Sequence, residues 1–351
     1  MSWVHELARP DIVALKPYQH ASWEPGLERL HANELPWRPA EDDSRAGLNR
    51  YPEPQPRVLI DRLAELYEVA PATILVGRGS DEAIDLLTRA FCRAERDAVL
   101  VCPPTFGMYS VSARIQGAEV LQAPLLAANG FALDEPGLLE RCTPAVKLIF
   151  LCSPNNPTGN LLDEAAITRL ARRLAGRALI VVDEAYLEFA GRPSLARLIA
   201  EQPNLAILRT LSKAHGLAGA RCGTLIADPE IIALLRKIIP PYAIPQLTLE
   251  AVLDRLTPEA RARSRTVLEQ LLAERERLVR ALPRLKRITK VWPTDANFIL
   301  AEFEDAGSAL ALAREARLLV RDARGYPGLG RSLRITVGTP EQNGRLLEAW
   351  S

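Results

Sequence analysis

The chain has 351 residues, 48% of them hydrophobic, which is more than one core usually holds, so two domains are expected. Its 44 basic and 43 acidic residues are mixed along the sequence and leave a net charge of +1, which argues against nucleic acid or an anionic membrane surface as partner. No run of about 18 apolar residues occurs, and residues 1–7 hold no basic stretch leading into an apolar one, so a soluble, cytoplasmic protein is expected.

Residues 1–45, rich in Pro, Trp and charge, read as an N-terminal arm that packs with the small domain. Between 46 and 245 short apolar runs alternate with amphipathic ones. The runs 73–76, 98–102, 148–152, 179–182, 205–208 and 223–227 read as strands, and 58–69, 81–93, 163–174 and 229–239 as helices. Strands that are apolar throughout, separated by helices, predict an α/β large domain whose mostly parallel sheet is covered on both faces, with ligands gathered at the strands' carboxyl ends. Pro240, Pro241 and Pro245 break this pattern. Residues 246–351 then form a smaller α+β domain: a long charged helix over 258–282 that spans from one domain to the other, a strand at 298–303, a helix at 306–316, a strand at 333–337 and a last helix to Trp350. Cys92, Cys102, Cys142, Cys152 and Cys222 read as small core residues in a reducing compartment. His5, His20, His31 and His215 show no ligand spacing, so no metal is expected.

The chemistry-bearing residues lie in loops that follow strands. Gly77-Arg-Gly-Ser-Asp-Glu opens a helix; its glycines admit an anion to the free helix-start amides, while Ser80 or Asp81 serves equally as an ordinary N-cap. In Cys102-Pro-Pro-Thr-Phe-Gly-Met-Tyr, Phe106 is either core packing or a flat face for a ring. Ser153-Pro-Asn-Asn-Pro-Thr-Gly is satisfied by turn chemistry alone, although Asn156 offers an amide to a ring oxygen. Asp183, in Val181-Val-Asp-Glu-Ala-Tyr, leaves an apolar strand, where a carboxylate needs a cap role or a cationic partner. Finally, Leu208-Arg-Thr-Leu-Ser-Lys-Ala sets Lys213 at a strand's mouth, as a solvated lysine or as the amine of a Schiff base, with Ser212 and Arg221 nearby for a phosphate.

Together these motifs resemble the fold-type I pyridoxal-phosphate aminotransferases over nearly the whole chain. Within them the chain is most similar to the histidinol-phosphate aminotransferases, on Lys16-Pro-Tyr-Gln, Leu30-His-Ala-Asn-Glu, Asn49-Arg-Tyr-Pro-Glu, Arg78-Gly-Ser-Asp-Glu and Leu333-Arg-Ile-Thr-Val-Gly besides the loops above. The resemblance implies pyridoxal 5'-phosphate as cofactor, held covalently by Lys213, which also moves the substrate proton. It implies Asp183 at the ring nitrogen, Tyr186 and Asn156 at the ring oxygen, Phe106 on the ring face, and Gly79, Ser80, Asp81, Ser212 and Arg221 at the phosphate. Tyr51 is expected to reach that phosphate from a second subunit, making a homodimer with a shared active site. For substrate, the resemblance implies Arg334 at the α-carboxylate and Arg321 and Tyr18 at the substrate's phosphate. Two positions depart from the family pattern: Phe106, commonly Tyr there, and His215, two residues after the lysine. The implied reaction is transamination between L-histidinol phosphate and imidazole-acetol phosphate, with glutamate and 2-oxoglutarate as the other pair, in L-histidine biosynthesis. An aromatic amino acid aminotransferase and a threonine-phosphate decarboxylase share most of this set and are the alternatives.

Overall fold

A computed structural model of the chain describes residues 2–21, 24 and 26–351. Among these residues the strands form two sheets. The larger holds β1 (Ile74–Gly77), β2 (Ala98–Val101), β3 (Glu119–Gln122), β4 (Val146–Cys152), β5 (Leu179–Asp183), β6 (Leu205–Thr210) and β7 (Gly223–Ala227), in the spatial order β1-β7-β6-β5-β4-β2-β3. Strands β2 to β6 pair in parallel, and β7 alone runs against its neighbours β6 and β1. The expected mostly parallel sheet is therefore present.

Side chains alternate between its two faces. Ile180, Val182 and Ile207 enter one core with Leu59, Leu63, Ile167 and Leu170 from the helices Arg57–Tyr67 and Glu164–Arg173. Leu179, Val181, Ala206 and Leu208 enter the other with Ile84, Leu87 and Ile232 from the helices Ser80–Phe91 and Pro229–Leu235. Such strands are buried on both faces, which is why they read as unbroken apolar runs. Strand β3 escaped the sequence reading because Glu-Val-Leu-Gln carries two apolar residues between polar ends; it is the sheet's edge, and none of it is fully buried.

The smaller sheet contains β8 (Ile288–Val291), β9 (Phe298–Phe303), β10 (Arg321–Asp322) and β11 (Ser332–Thr336), ordered β10-β11-β9-β8 and antiparallel throughout. Leu278, Phe303, Leu333, Ile335 and Trp350 form its core with the helices Pro258–Ala281, Ala306–Glu315 and Pro340–Ala349. The first of these helices joins the two sheets: Leu268, Leu271 and Leu272 pack on Tyr186, Phe189 and Phe298, and Arg275 donates to the carbonyls of Phe189 (3.0 Å) and Ala296 (3.1 Å).

The N-terminal arm departs from its expected packing. Val4 and Leu7, three residues apart on the helix Trp3–Leu7, are buried in the larger sheet's second core, and the Arg9 amide donates to the Ala90 carbonyl at 2.9 Å. The start of the arm thus lies on the larger sheet's helical cover. Its end is fastened by Arg45, which donates to Asp254 at 2.6 Å on the helix Gln246–Arg255.

One close approach sets the turn 77–80 against the start of β7. Gly77 and Gly223 are paired across β1 and β7, and a Cβ on Gly223 would lie 2.3 Å from the Gly79 carbonyl carbon and 2.4 Å from the Ser80 nitrogen. Gly223→Ala is expected to displace the 77–80 turn and to cost about 1–3 kcal/mol, as overpacking does. Urea unfolding measures this, and an unchanged midpoint would show that the turn yields freely.

Candidate active site

Strands β2, β4, β5 and β6 end on one edge of the larger sheet; β1, antiparallel to β7, ends there too, and β7 begins there. Their exits line a cavity of about 140 Å³: Ser80 and Asp81 after β1, Phe106 after β2, Asn156 after β4, Asp183 and Tyr186 at the end of β5, and Ser212, Lys213 and Arg221 between β6 and β7. Residues far apart in sequence and expected at one cofactor are therefore brought together.

Asp183 lies at the floor, 3% exposed. One carboxylate oxygen accepts from the Tyr109 hydroxyl at 2.8 Å and the other from the Ala185 amide at 3.0 Å. Burial pushes its pKa up to about 6, against these two donors and the nearby Lys213, which favour the anion. A cation set beside this carboxylate would relieve the desolvation cost.

At the opposite end the helix Ser80–Phe91 starts from Gly79 at φ +89°, with no side chain capping its first amides. Only glycine adopts that angle without strain, and a Cβ there would also lie 2.6 Å from the Arg221 guanidinium. Arg221 is itself held at φ 52°, a left-handed conformation that costs a non-glycine residue roughly 1 kcal/mol or more. The twist turns its guanidinium onto Ser212 Oγ and Asp81, each at 3.3 Å. Free helix-start amides, a hydroxyl and a guanidinium form a phosphate cradle.

Lys213 opens onto the cavity between these ends, its Nζ 5.7 Å from the centre of the Tyr186 ring. Burial is the main influence lowering its pKa; the positive charges of Arg334 and Arg221 act in the same direction, and Asp183 and Asp81 oppose them. Its amine is thus freed more readily than a surface lysine's. Asn156 donates to the Tyr186 hydroxyl at 3.4 Å and accepts from Arg334. A buried carboxylate, a phosphate cradle and a lysine between them fit pyridoxal phosphate.

Arg334 reaches this site from the smaller sheet. Its guanidinium rests 5.1 Å from the Phe298 ring centre, and its buried Nε has no hydrogen-bond partner among the described residues. Arg321 stands directly opposite it in the β10–β11 register, exposed. Tyr18 and Tyr51 lie outside the cavity within one copy of the chain. Tyr18, 73% exposed, belongs to a separate cleft, and Tyr51, 48% exposed, stacks on Tyr242 with centroids 4.5 Å apart.

The sequence reading missed two contributors. Tyr109, fully buried, is the side-chain donor to Asp183. Arg209, an unexpected charge within the apolar strand β6, donates to Glu184 at 3.0 Å and Glu188 at 2.7 Å and lies 4.9 Å from the Tyr67 ring centre. Glu188 in turn faces His215 at 3.5 Å. The signal for this cluster was a cation with no possible solvent exposure in a core strand, beside two glutamates in the loop after β5.

Comparison with known proteins agrees with this geometry. The family model for aminotransferase class I and II matches residues 30–349. The chain is 47% identical over 350 residues to the histidinol-phosphate aminotransferase of Stenotrophomonas maltophilia (strain R551-3), covering 98% of this chain and 96% of that protein. Among solved structures, it superposes with a TM-score of 0.76 and 25% identity on the histidinol-phosphate aminotransferase from Sinorhizobium meliloti in complex with pyridoxal-5'-phosphate, covering 86% of this chain and 82% of that one. L-threonine-O-3-phosphate decarboxylase from Porphyromonas gingivalis superposes with a TM-score of 0.71 and 27% identity, over 86% and 92% of the two chains. By these matches the chain belongs to the class I and II aminotransferases.

Proposed function

We propose that this aminotransferase exchanges an amino group between L-histidinol phosphate and 2-oxoglutarate, giving imidazole-acetol phosphate and glutamate, with the physiological direction toward L-histidinol phosphate in L-histidine biosynthesis. The observation that carries the substrate choice is the pairing of Arg321 with Arg334 across β10 and β11, which sets two cations side by side, with Arg334 bonded to Asn156 of the cofactor cavity. L-Histidinol phosphate has no carboxylate; its anion is a phosphate, whose double charge suits two guanidiniums, whereas the α-carboxylate of an amino acid is met by one. The decarboxylase alternative also handles a phosphate, but the high-identity, full-length relative is an aminotransferase.

Pyridoxal phosphate supplies an aldehyde that condenses with amines and a protonated ring that withdraws electrons. Lys213 would hold it covalently, and its amine would move the proton of the substrate Cα. Asp183 would keep the ring nitrogen protonated, Phe106 would support the ring face, and Asn156 and Tyr186 would bind the ring oxygen. The amides of Gly79 to Asp81, with Ser212 and Arg221, would hold the phosphate. Arg334 would take a substrate carboxylate and Arg321 the substrate phosphate; Tyr18, expected beside that phosphate, lies in a separate cleft within one copy.

We further propose a cytoplasmic homodimer. Leu27, Leu30, Leu35, Trp37 and Leu48 are between 53% and 93% exposed in one copy, a cluster of apolar side chains rarely left in water. Covered by a second copy, this segment would carry Tyr51 toward the partner's phosphate cradle. Residues 1–45, 46–245 and 246–351 then serve as arm, cofactor-binding domain and small domain. The described residues contain no helix long and apolar enough to cross a membrane.

Three outcomes are expected. Lys213→Ala removes the yellow absorbance of lysine-held cofactor and reduces turnover at least ~10⁴-fold with unchanged circular dichroism; retention of wild-type turnover rejects the assignment. Arg321→Ala raises KM for histidinol phosphate by roughly 10–100-fold, the loss of a charge-assisted pair, and changes that for glutamate much less; equal losses in steady-state assays would remove Arg321 as the phosphate reader. For Asp183 the sign follows from its raised pKa. In the cofactor-free protein this group favours folding below the ordinary aspartate value of 3.8, and that contribution is lost as pH rises through about 6. The buried anion then costs about 3 kcal/mol at pH 8. Asp183→Asn should therefore raise the melting temperature of cofactor-free protein at pH 8 while abolishing turnover. Calorimetry and assay decide, and a lowered melting temperature contradicts the sign.

A further inference from the structure

Tyr109 has no role in the reaction described so far, yet its surroundings leave its hydroxyl a single direction. The residue is 0% exposed on the helix Met108–Gln116. Its ring lies parallel to Phe150 of β4, with centroids 4.8 Å apart and planes 5° from parallel, and stands edge-on to Phe106 at 5.5 Å and 83°. Held on two sides, the phenol cannot swing away, and its hydroxyl donates to Asp183 Oδ2 at 2.8 Å. The Ala185 amide fills Oδ1. Each carboxylate oxygen therefore has one fixed donor, which sets the plane of the carboxyl group against the cavity.

A phenylalanine would fill the same space between Phe150 and Phe106. The hydroxyl adds the bond to Asp183 and a weaker contact with the Cys152 thiol, and a buried hydroxyl without a partner is costly. Burial and the neighbouring Asp183 hold the Tyr109 phenol well above its ordinary pKa, so it stays a donor at every pH at which the enzyme works. A donor that never loses its proton stabilises the anionic carboxylate and not the neutral acid. The ionisable groups around Asp183 are Tyr109, Cys152, Tyr186, Lys213 and Asp81; Tyr109 and Lys213 favour the anion, whereas Asp81 opposes it. Lys213 is consumed when it holds the cofactor, which leaves Tyr109 as the constant side-chain support.

We propose that Tyr109 is a positioning residue that fixes the Asp183 carboxylate and keeps it the anion facing the cofactor's protonated ring nitrogen, while its ring backs Phe106 on the ring face. This rests on the reading of Asp183 given above. One side chain would then couple two contacts to the same ring, its edge and its face. The departure at Phe106 is compatible with this, since the edge-on contact needs only the ring.

The test is Tyr109→Phe, read first in cofactor-free protein. The Asp183 carboxyl stretch, identified as the infrared band missing in Asp183→Asn, should titrate about one pH unit higher, a tenfold rise in proton affinity and the order expected for losing a hydrogen bond to a charged group. The dissociation constant for pyridoxal phosphate at pH 6, where such a shift cuts the anionic fraction from about a half to about a tenth, should weaken about fivefold in the same variant. A midpoint that stays in place, or an affinity that stays in place while the midpoint moves, overturns the proposal. Wild-type protein that binds no pyridoxal phosphate would instead overturn the functional reading. If Tyr109→Phe fails to fold, 3,5-difluorotyrosine at position 109 keeps the shape with a stronger donor. It should lower the Asp183 midpoint, and an unmoved or raised midpoint overturns the proposal equally.

Discussion

A carboxylate placed where an apolar strand ends is the constraint around which this site is built. Strand β5 is buried along its whole length between β4 and β6, so Asp183 emerges into the interior and not into water. The desolvation that raises its pKa also makes it a strong attractor for a cation, because few other charges screen it. The rest of the cavity is arranged along that axis. Asp183 lies at the floor, Lys213 in the middle, and Arg221 and the helix start at Gly79 at the far end. A flat ligand with a positive ring edge and a dianionic tail matches this distribution end for end.

Holding Asp183 and Lys213 at a fixed separation requires that the exits of β5 and β6 do not drift apart. The buried cluster behind them does this. Glu184 follows Asp183 directly, Arg209 precedes Lys213 by four residues, and the Arg209 guanidinium bridges Glu184 and Glu188. Glu184 also accepts from Ser194 Oγ at 2.6 Å and the Leu195 amide at 2.8 Å, so its lone pairs are filled. Burial acts to raise both glutamates' pKa values; at Glu188 it is outweighed by Arg209 and His215, which hold that carboxyl at about 2. Removing any one member would strand a charge in the core, which is far more costly than never having placed the cluster there. The cluster therefore works as a brace, and its chemical inertness suits that task.

Much of this was legible in the sequence because the chemistry sits at punctuation marks. Apolar runs stop at Asp183 and just before Ser212 and Lys213, and glycine- or proline-rich turns begin there, so position along the chain identified the loops. What stayed hidden depends on partners remote in sequence. Tyr109 reads as an ordinary packing aromatic on a helix, and its partner is 74 residues away. Arg209 lies inside a strand whose apolar character masks it. Strand β3 carries two apolar residues and only its pairing with β2 makes it a strand. The arm's docking was misjudged because Val4 and Leu7 span a single helical turn, too short for periodicity to reveal a face. Tyr18 and Tyr51, singled out by resemblance, stand apart from the cavity in one chain.

On the proposed reading the smaller sheet contributes the part of the site that distinguishes substrates, and its two arginines stand under electrostatic tension. Arg321 and Arg334 face each other across an antiparallel pair, where like charges are destabilising. Arg334 is restrained by its bond to Asn156 and its contact with Phe298, and Arg321 has Asp322 beside it to temper its charge. An anionic ligand that spans the two guanidiniums offsets the repulsion, so binding stabilises the sheet edge that forms the pocket. On the proposed reading the two substrates use this pair differently. Glutamate presents its α-carboxylate to Arg334, whereas histidinol phosphate has no carboxylate and presents a phosphate on the carbon next to the amine-bearing one, a dianion for which Arg321 adds the second cation. One pocket can thus serve two half-reactions because the cation both substrates meet is held by Asn156 and the other answers to the phosphate.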